Sequence, residues 1–166
     1  MLTDTLCTRC GLCCDGTLFG DVELTGPREA SRLEALGLDV DTDDADVELL
    51  ALPCAGLRRT RCSVYIHRPQ CCRTFECRLL QDTARGAVTE VDALAKVVEA
   101  QEQVTRVKTL LVGLEPRRGV SLPLAERVAD AIAACSTTNR AEVRRRTALA
   151  GAMAVLRRTI RTTFLD

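Results

Sequence analysis

The placement of cysteine constrains this chain more than any other feature, since nine of its ten cysteines lie before residue 78. Such thiols form disulfides in an oxidising compartment, whereas cytosolic glutathione and thioredoxin keep them reduced. Residues 1–4 show no basic segment followed by an apolar one, and no stretch approaches the length of a membrane span. We therefore expect a cytoplasmic protein whose clustered cysteines bind metal or carry redox chemistry.

The first cysteine group occupies eight residues and consists of Cys7, Cys10, Cys13 and Cys14. Two-residue gaps between its first three members allow one backbone turn to direct successive sulfurs to one centre, and Gly11 suits a turn that needs positive φ. The spacing is similar to the first three ligands of bacterial ferredoxin loops. It departs from them at Cys14, which follows Cys13 directly. Because neighbouring side chains diverge, Cys13 and Cys14 are candidates for different metals.

The second cysteine group lies in the frame Cys62-x-Val64-Tyr65-x-x-Arg68-Pro69-x-x-Cys72-Arg73-x-Phe75-x-Cys77, preceded by Cys54. Together with the first group, this frame resembles the zinc- or iron-chelating CxxCxxCC family of cysteine-cluster proteins, whose bacterial relatives include flagellin lysine N-methylases. The resemblance covers residues 7–77. It implies eight metal-binding thiols and leaves Cys71 and Cys135 outside the pattern. The implied ligands are Cys7, Cys10, Cys13, Cys14, Cys54, Cys62, Cys72 and Cys77.

Eight thiolates are compatible with two tetrahedral zinc sites, two iron–sulfur clusters, or one cluster with spare thiols. Structural zinc sites are usually built from two C-x2-C pairs, whereas the cysteines of the second group are spaced eight, ten and five residues apart when Cys71 is left out. Thiolate ligands suit both metals, so ligand type does not decide between them. We favour a [4Fe–4S] cluster and keep zinc as the alternative cofactor.

Three polar residues of the family frame are candidates for contacts with the cofactor, namely Tyr65, Arg68 and Arg73. Arginine next to a thiolate centre offsets its negative charge and tunes its potential, and a tyrosine hydroxyl can hydrogen bond to sulfur. The alternatives are ion pairs of the arginines, including Arg78, with nearby carboxylates, and a Tyr65 that packs in the core. We expect His67, the only histidine, to be exposed and not a ligand.

The chain is expected to be mainly α, because aromatic residues make up only 2% and the apolar residues recur mostly at helical spacing. Residues 1–53 are expected to be irregular and to have little core of their own, apart from a short helix over 27–36. A strand over 47–52, with residues 62–66 as its candidate partner, would form a short β-hairpin. We expect residues 1–83 to be a metal-organised lobe on which residues 84–166 pack, as one compact domain.

Four helical stretches are predicted after Pro69. The first, Pro69 to Ala84, carries both Cys71 and Cys72, and because consecutive helical residues are about 100° apart, only one of them can face the first cysteine group. The family frame selects Cys72. Thr89 is a candidate cap for the next helix, which has an apolar stripe from Val91 to Leu114 that includes Val98, and Pro116 and Gly119 end it. Ser121 and Pro123 start the third helix, which has Cys135 on its apolar face. Asn139 and Glu142 form a capping box that opens the last, whose stripe is Leu149, Met153, Leu156, Ile160 and Phe164.

Other functions remain as alternatives to a cluster with a structural, redox or electron-transfer role. One is an enzyme related to the lysine N-methylases, although the chain contains no dinucleotide, phosphate-loop or zinc-protease motif. Another is nucleic-acid binding through the arginine-rich last helix, which we do not expect, because single-strand binders also use stacking aromatics. The expected partner is therefore a protein or a redox partner.

Overall fold

A computed structural model describes residues 2–114, 122–134 and 139–165. The chain divides into two compact units, residues 1–76 and 77–166. Helices dominate the structure and the sheets are small, which confirms the mainly α fold with a short β-hairpin. The predicted packing of the two regions as one compact domain stays a prediction. No helix in the described part of the chain is long and apolar enough to cross a membrane.

The first unit combines three helices with two small sheets. Its helices are α1 (Leu2–Cys10), α2 (Pro27–Ala35) and α3 (Gln70–Thr74), and a 3-10 turn spans Tyr65–His67. Its strands are β1 (Asp21–Glu23), β2 (Val40–Thr42), β3 (Glu48–Ala51), β4 (Leu57–Arg58) and β5 (Arg61–Cys62). Helix α1 was not predicted, so Cys7 and Cys10 lie on a helix and not in the expected turn.

Strand β3 is the centre of an antiparallel sheet with the strand order β1-β3-β2. Leu50 pairs with Val22 on one side and with Val40 on the other. The predicted strand over 47–52 is therefore present, but its predicted partner is wrong, since Cys62 pairs with Leu57 in a separate two-stranded ladder. The partners β1 and β2 are three residues each, too short to be recognised from alternating hydrophobicity.

A small hydrophobic core holds α2 against the three-stranded sheet, and it consists of Leu24, Ala30, Leu33, Leu38 and Leu50. Leu33 is fully buried, and burying such a side chain contributes about 1.5–3 kcal/mol relative to its exposed state. The expectation that the N-terminal segment has little core of its own is therefore wrong. The residues of this core come from short elements at irregular spacing, so hydrophobic periodicity does not predict it. Helix α2 ends at the predicted glycine, because Gly37 adopts φ +77°.

The stretch from Pro69 to Ala84 forms two helices and not the single one predicted. Helix α3 ends at Thr74, Phe75 and Cys77 adopt extended backbone, and α4 begins at Arg78. Cys72 and Cys77 therefore do not share a helix, and the angular argument between them does not apply. No Pro or Gly marks this break, which explains why the pattern of apolar residues missed it.

The second unit consists of α4 (Arg78–Ala84), α5 (Glu90–Leu111), α6 (Leu124–Ala133), α7 (Arg140–Ile160) and a final π-helical segment, Arg161–Leu165. Helix α5 packs against α7, and α6 contacts both. The side chains of Thr89 and Asn139 cap α5 and α7 as predicted, by accepting hydrogen bonds from the amides of Asp92 and Ala141. Glu142 pairs with Arg146, one turn further along α7.

The predicted core face of α7 is correct, since its five stripe residues from Leu149 to Phe164 are all buried. The predicted face of α5 is partly wrong, because Val91 and Val98 are 77% and 52% exposed, while Ala93 and Ala100 are fully buried. Small alanines allow α5 to approach its neighbours closely, which hydrophobicity alone does not reveal. The predictions for Pro116, Gly119, Ser121 and Cys135 lie outside the described residues.

Candidate metal centre

The first cysteine group sits at the end of α1 and in the turn after it. Gly11 ends the helix at φ +72°, and its carbonyl accepts hydrogen bonds from the amides of Cys14, at 3.0 Å, and Asp15, at 3.1 Å. A Cβ at Gly11 would lie 3.2 Å from the Cα of Thr60, so the turn also needs glycine for close approach. The Thr60 hydroxyl donates to the Thr8 carbonyl at 2.7 Å. These contacts fix the cysteine-bearing turn against the connection between β4 and β5.

Cys14 interacts with two cysteines of the second group, Cys54 and Cys62. The amide of Cys54 donates to the carbonyl of Cys14 at 2.8 Å. Burial and the neighbouring thiols of Cys54 and Cys62 raise the pKa of Cys14 to about 11. Burial, together with Cys62, also raises the pKa of Cys54 against hydrogen bonds that lower it.

Cys72 completes what we call the inner thiol group, which consists of Cys14, Cys54, Cys62 and Cys72. A hydrogen bond with Cys71 raises the pKa of Cys72, and burial and the charges of Cys71, Cys14 and Cys54 raise it further. Three regions of the chain, around residues 14, 54–62 and 72, thus bring cysteines within electrostatic reach of Cys14. Thiolates placed together and half-buried are unfavourable unless a positive charge joins them.

The donor chemistry of the inner thiol group fits a metal that prefers sulfur, because a bound cation turns mutual repulsion of thiolates into shared attraction. In the side-chain arrangement of the described residues, no three Cys, His, Asp or Glu residues lie close enough together to hold a metal ion. The nine described cysteines form no disulfides.

The remaining predicted ligands are Cys7, Cys10, Cys13 and Cys77. Cys7 is exposed and Cys10 and Cys13 are half-buried, and all three belong to α1 or its following turn. Cys77 is half-buried at the N-cap of α4, in the second unit. The assignment of all eight cysteines as metal ligands stays a prediction.

Cys71, predicted to be a spare thiol, packs against the hydrophobic core of the first unit. It nevertheless interacts with the adjacent Cys72 thiol, and this interaction lowers the pKa of Cys71 to about 7. His67 is exposed, as predicted.

Arg68 is the only one of the three predicted polar residues whose charge is seen to act on the inner thiol group, where it opposes the rise in the pKa of Cys14. Its guanidinium carbon lies 3.9 Å from the centre of the Tyr65 ring, a cation–π contact. The Arg68 Nε is buried and has no hydrogen-bond partner in the described structure. Tyr65 is 43% exposed, so it is not a core residue, and its ring contacts the Arg68 guanidinium.

Arg73 braces the loop that carries Arg68. Its guanidinium donates to the carbonyls of Arg68, at 2.8 Å, and Ile66, at 2.6 Å. Arg78 forms an ion pair with Asp82 at 3.6 Å, which is the structural alternative considered for it. Arg73 thus supports the loop through its backbone.

Glu29 is a residue of the site that the sequence did not identify. Its carboxylate accepts hydrogen bonds from the amides of Thr25 and Gln70, both at 2.9 Å. Burial would raise the pKa of Glu29, but the two amides and Arg32 together outweigh it and lower the pKa. The signal available in the sequence was an acidic residue in the first turn of α2, which does not reveal the bond to Gln70, 41 residues away.

A family model, described as a putative zinc- or iron-chelating domain with the motif CxxCxxCC, matches residues 6–106. The chain belongs to this family. The match covers more than half of the chain, includes every predicted ligand, and extends through α4 into α5, beyond the frame ending at Cys77. No curated protein and no solved structure matches the chain. The chain therefore carries a cysteine-cluster domain of the zinc- or iron-chelating kind.

Proposed function

We propose that this cysteine-cluster domain binds a [4Fe–4S] cluster and uses it in a structural, redox or electron-transfer role. The observation that carries the proposal is the inner thiol group, in which the Cys54 amide donates to the Cys14 carbonyl and burial together with neighbouring cysteines raises the pKa of Cys14, Cys54 and Cys72. Four thiolates are the usual ligand set of such a cluster. Binding requires these thiols to rotate toward a common centre.

The spacing within the inner thiol group favours iron–sulfur over zinc. Zinc thiolate sites are usually assembled from C-x2-C pairs, and the inner thiol group contains none. In this proposal, Arg68 offsets part of the negative charge through its buried Nε, Tyr65 holds the guanidinium in place, and Arg73 supports the loop. The family frame also implies Cys7, Cys10, Cys13 and Cys77 as metal ligands.

Zinc is the second candidate, because the family is described as zinc- or iron-chelating and a set of four cysteines also suits a tetrahedral zinc ion. Anaerobic purification followed by analysis of iron, acid-labile sulfide and zinc distinguishes the two. A [4Fe–4S] centre gives broad visible absorption, iron and sulfide in equal amounts, and an EPR signal after reduction. Stoichiometric zinc in a colourless protein, with no iron after anaerobic reconstitution, would replace the first candidate by the second.

The ligand assignment is tested by a matched pair of neighbouring cysteines. Cys72→Ser should lower the metal content or give insoluble protein, whereas Cys71→Ser should retain it, because Cys71 packs against the hydrophobic core. The same loss is expected for serine at each of the other seven predicted ligands, and none for Cys135→Ser. Equal metal loss in Cys71→Ser and Cys72→Ser, measured anaerobically, would overturn the assignment.

A further inference from the structure

The carboxylate of Glu29 links two elements that are far apart in sequence. Its Oε2 accepts from the Thr25 amide and its Oε1 from the Gln70 amide, both at 2.9 Å. Its side chain is only 14% exposed, although Arg32 lies 3.5 Å from Oε1 at the outer side. Hydrogen bonds from amides to an ionised carboxylate are stronger than bonds between neutral groups. Glu29 is therefore a fixed bridge from α2 to the first residue of α3.

Helix α3 depends on such outside support. It has only five residues, no side chain caps it locally, and Pro69 precedes it. A helix this short is not stable by itself, and its first amides have no partner within the helix. Glu29 supplies the missing acceptor to Gln70. At the other end, Phe75 packs edge-on against Phe19 with 5.2 Å between ring centres, so the two ends are held by different contacts.

The bridge controls the part of α3 that carries the cysteines. Cys71 packs against the hydrophobic core to which α2 contributes Ala30 and Leu33. With the Cys71 side chain on this core and the Gln70 amide on Glu29, the rotation of the first turn about its axis is fixed. Cys72 lies about 100° further round the helix. That orientation brings it toward Cys14 and Cys54, whose charges act on it.

We propose that Glu29 is a positioning residue of the metal centre, which fixes the first turn of α3 so that Cys72 is presented to the other inner thiols. The inference rests on the proposed function, in which Cys72 is a ligand. Residues that orient metal ligands typically change metal affinity by about 10- to 100-fold when they are removed. A carboxylate that only stabilised the fold would alter the stability of the unit without acting through Cys72.

The test is a double-mutant cycle on the full chain, with Zn²⁺ as the probe and a chromophoric chelator as the competitor. Glu29→Ala should weaken zinc binding about 10- to 100-fold. The same change in a Cys72→Ser background should have no further effect, because the ligand that Glu29 positions is already absent. Glu29→Gln keeps an acceptor oxygen and should recover part of the affinity. Arg32→Ala is the matched control, since it removes the outer partner of Glu29 and leaves both amide bonds intact.

Co²⁺ substitution supplies a second readout, because the intensity of its visible bands reports the coordination geometry. Glu29→Ala should change this spectrum while circular dichroism still shows the helices of a folded chain. An equal loss of zinc affinity in the wild-type and Cys72→Ser backgrounds, or no loss in either, would overturn the positioning role. If Cys72→Ser itself left zinc affinity unchanged, the ligand assignment would fail, and the role of Glu29 would fall with it.

Discussion

The first unit is made of strands of two to four residues and helices of no more than nine, whereas the second is built on α5 and α7, of 22 and 21 residues. Helical hydrogen bonds close within the chain segment itself, and the long helices need only a partner for their apolar faces. The short elements of the first unit are instead held by contacts distant in sequence, such as Cys54 to Cys14 and Gln70 to Glu29.

The two units also bury different kinds of groups. In the second, fully buried leucines such as Leu111, Leu149 and Leu156 form the core. In the first, a core around Leu33 lies beside half-buried thiols, and the pKa of Cys14 is raised by burial and by its neighbours Cys54 and Cys62. Bringing residues 14, 54, 62 and 72 together costs loop-closure entropy, and metal–sulfur bonds can offset that cost. We therefore expect metal and apolar burial to stabilise the first unit together, and apolar burial to dominate in the second.

Metal removal is expected to have the largest effect and to act on the first unit alone. Binding of a structural metal by thiolates contributes roughly 10–16 kcal/mol in zinc-finger peptides, so chelation should unfold the cysteine-bearing loops. About a quarter of the described α-helical residues lie in this unit, so most of the helical circular dichroism should remain. Hydrogen exchange should show rapid loss of protection at the Cys54 amide and little change in α5.

The small core of the first unit sharpens this prediction. Because the contacts among Leu24, Leu33 and Leu50 are apolar, some protection should survive in β3 after chelation. Unchanged proteolysis and circular dichroism after verified metal removal would contradict a structural role for the metal. An equal loss of hydrogen-exchange protection in both units would instead show that metal stabilises the two units to the same extent.

A core substitution in the second unit should produce the converse result. Leu149→Ala removes a fully buried side chain from α7 and should cost about 2–5 kcal/mol of unfolding free energy. Val155→Ala, on the same helix at 52% exposure, is the control and should change stability by about 0.5 kcal/mol or less. Urea unfolding gives both values. Metal content should be the same in the two variants. Metal loss in Leu149→Ala alone would show that metal binding depends on the core of the second unit.

The sequence predicted the second unit better than the first, for a physical reason. Long amphipathic helices repeat their pattern over several turns, so the stripe of α7 and the caps at Thr89 and Asn139 were recognised. Its errors, Val91 and Val98, arose where small alanines occupy the close contacts of α5. The hydrophobic pattern of one helix does not predict how closely that helix packs against another.

In the candidate site, chemistry was more predictable than arrangement. The cysteine spacing identified the family, whereas the divergence of Cys13 and Cys14 stays a prediction. The break after α3, the strand partners of β3 and the bridge from Glu29 were missed. Each of these depends on a contact between segments far apart in sequence, which no local pattern records.

The smallest expected effect concerns the pH dependence of the Glu29 bridge. The folded pKa of Glu29 is lowered from 4.5, so its stabilisation is fully present above that value and is lost as the pH falls through the folded pKa. Glu29→Gln should therefore cost about 1 kcal/mol, and this difference should stay constant above about pH 5. Glu29 and Glu29→Gln are compared in chains that both carry Cys71→Ser, because the Cys71 thiol has a pKa of about 7 and interacts with the charge of Glu29. Arg32 also interacts with this charge. Urea unfolding of the metal-loaded proteins measures the difference. If it shrank between about pH 7 and pH 5, Glu29 would be protonated in the folded state, and the bridge would not be the ionic contact described.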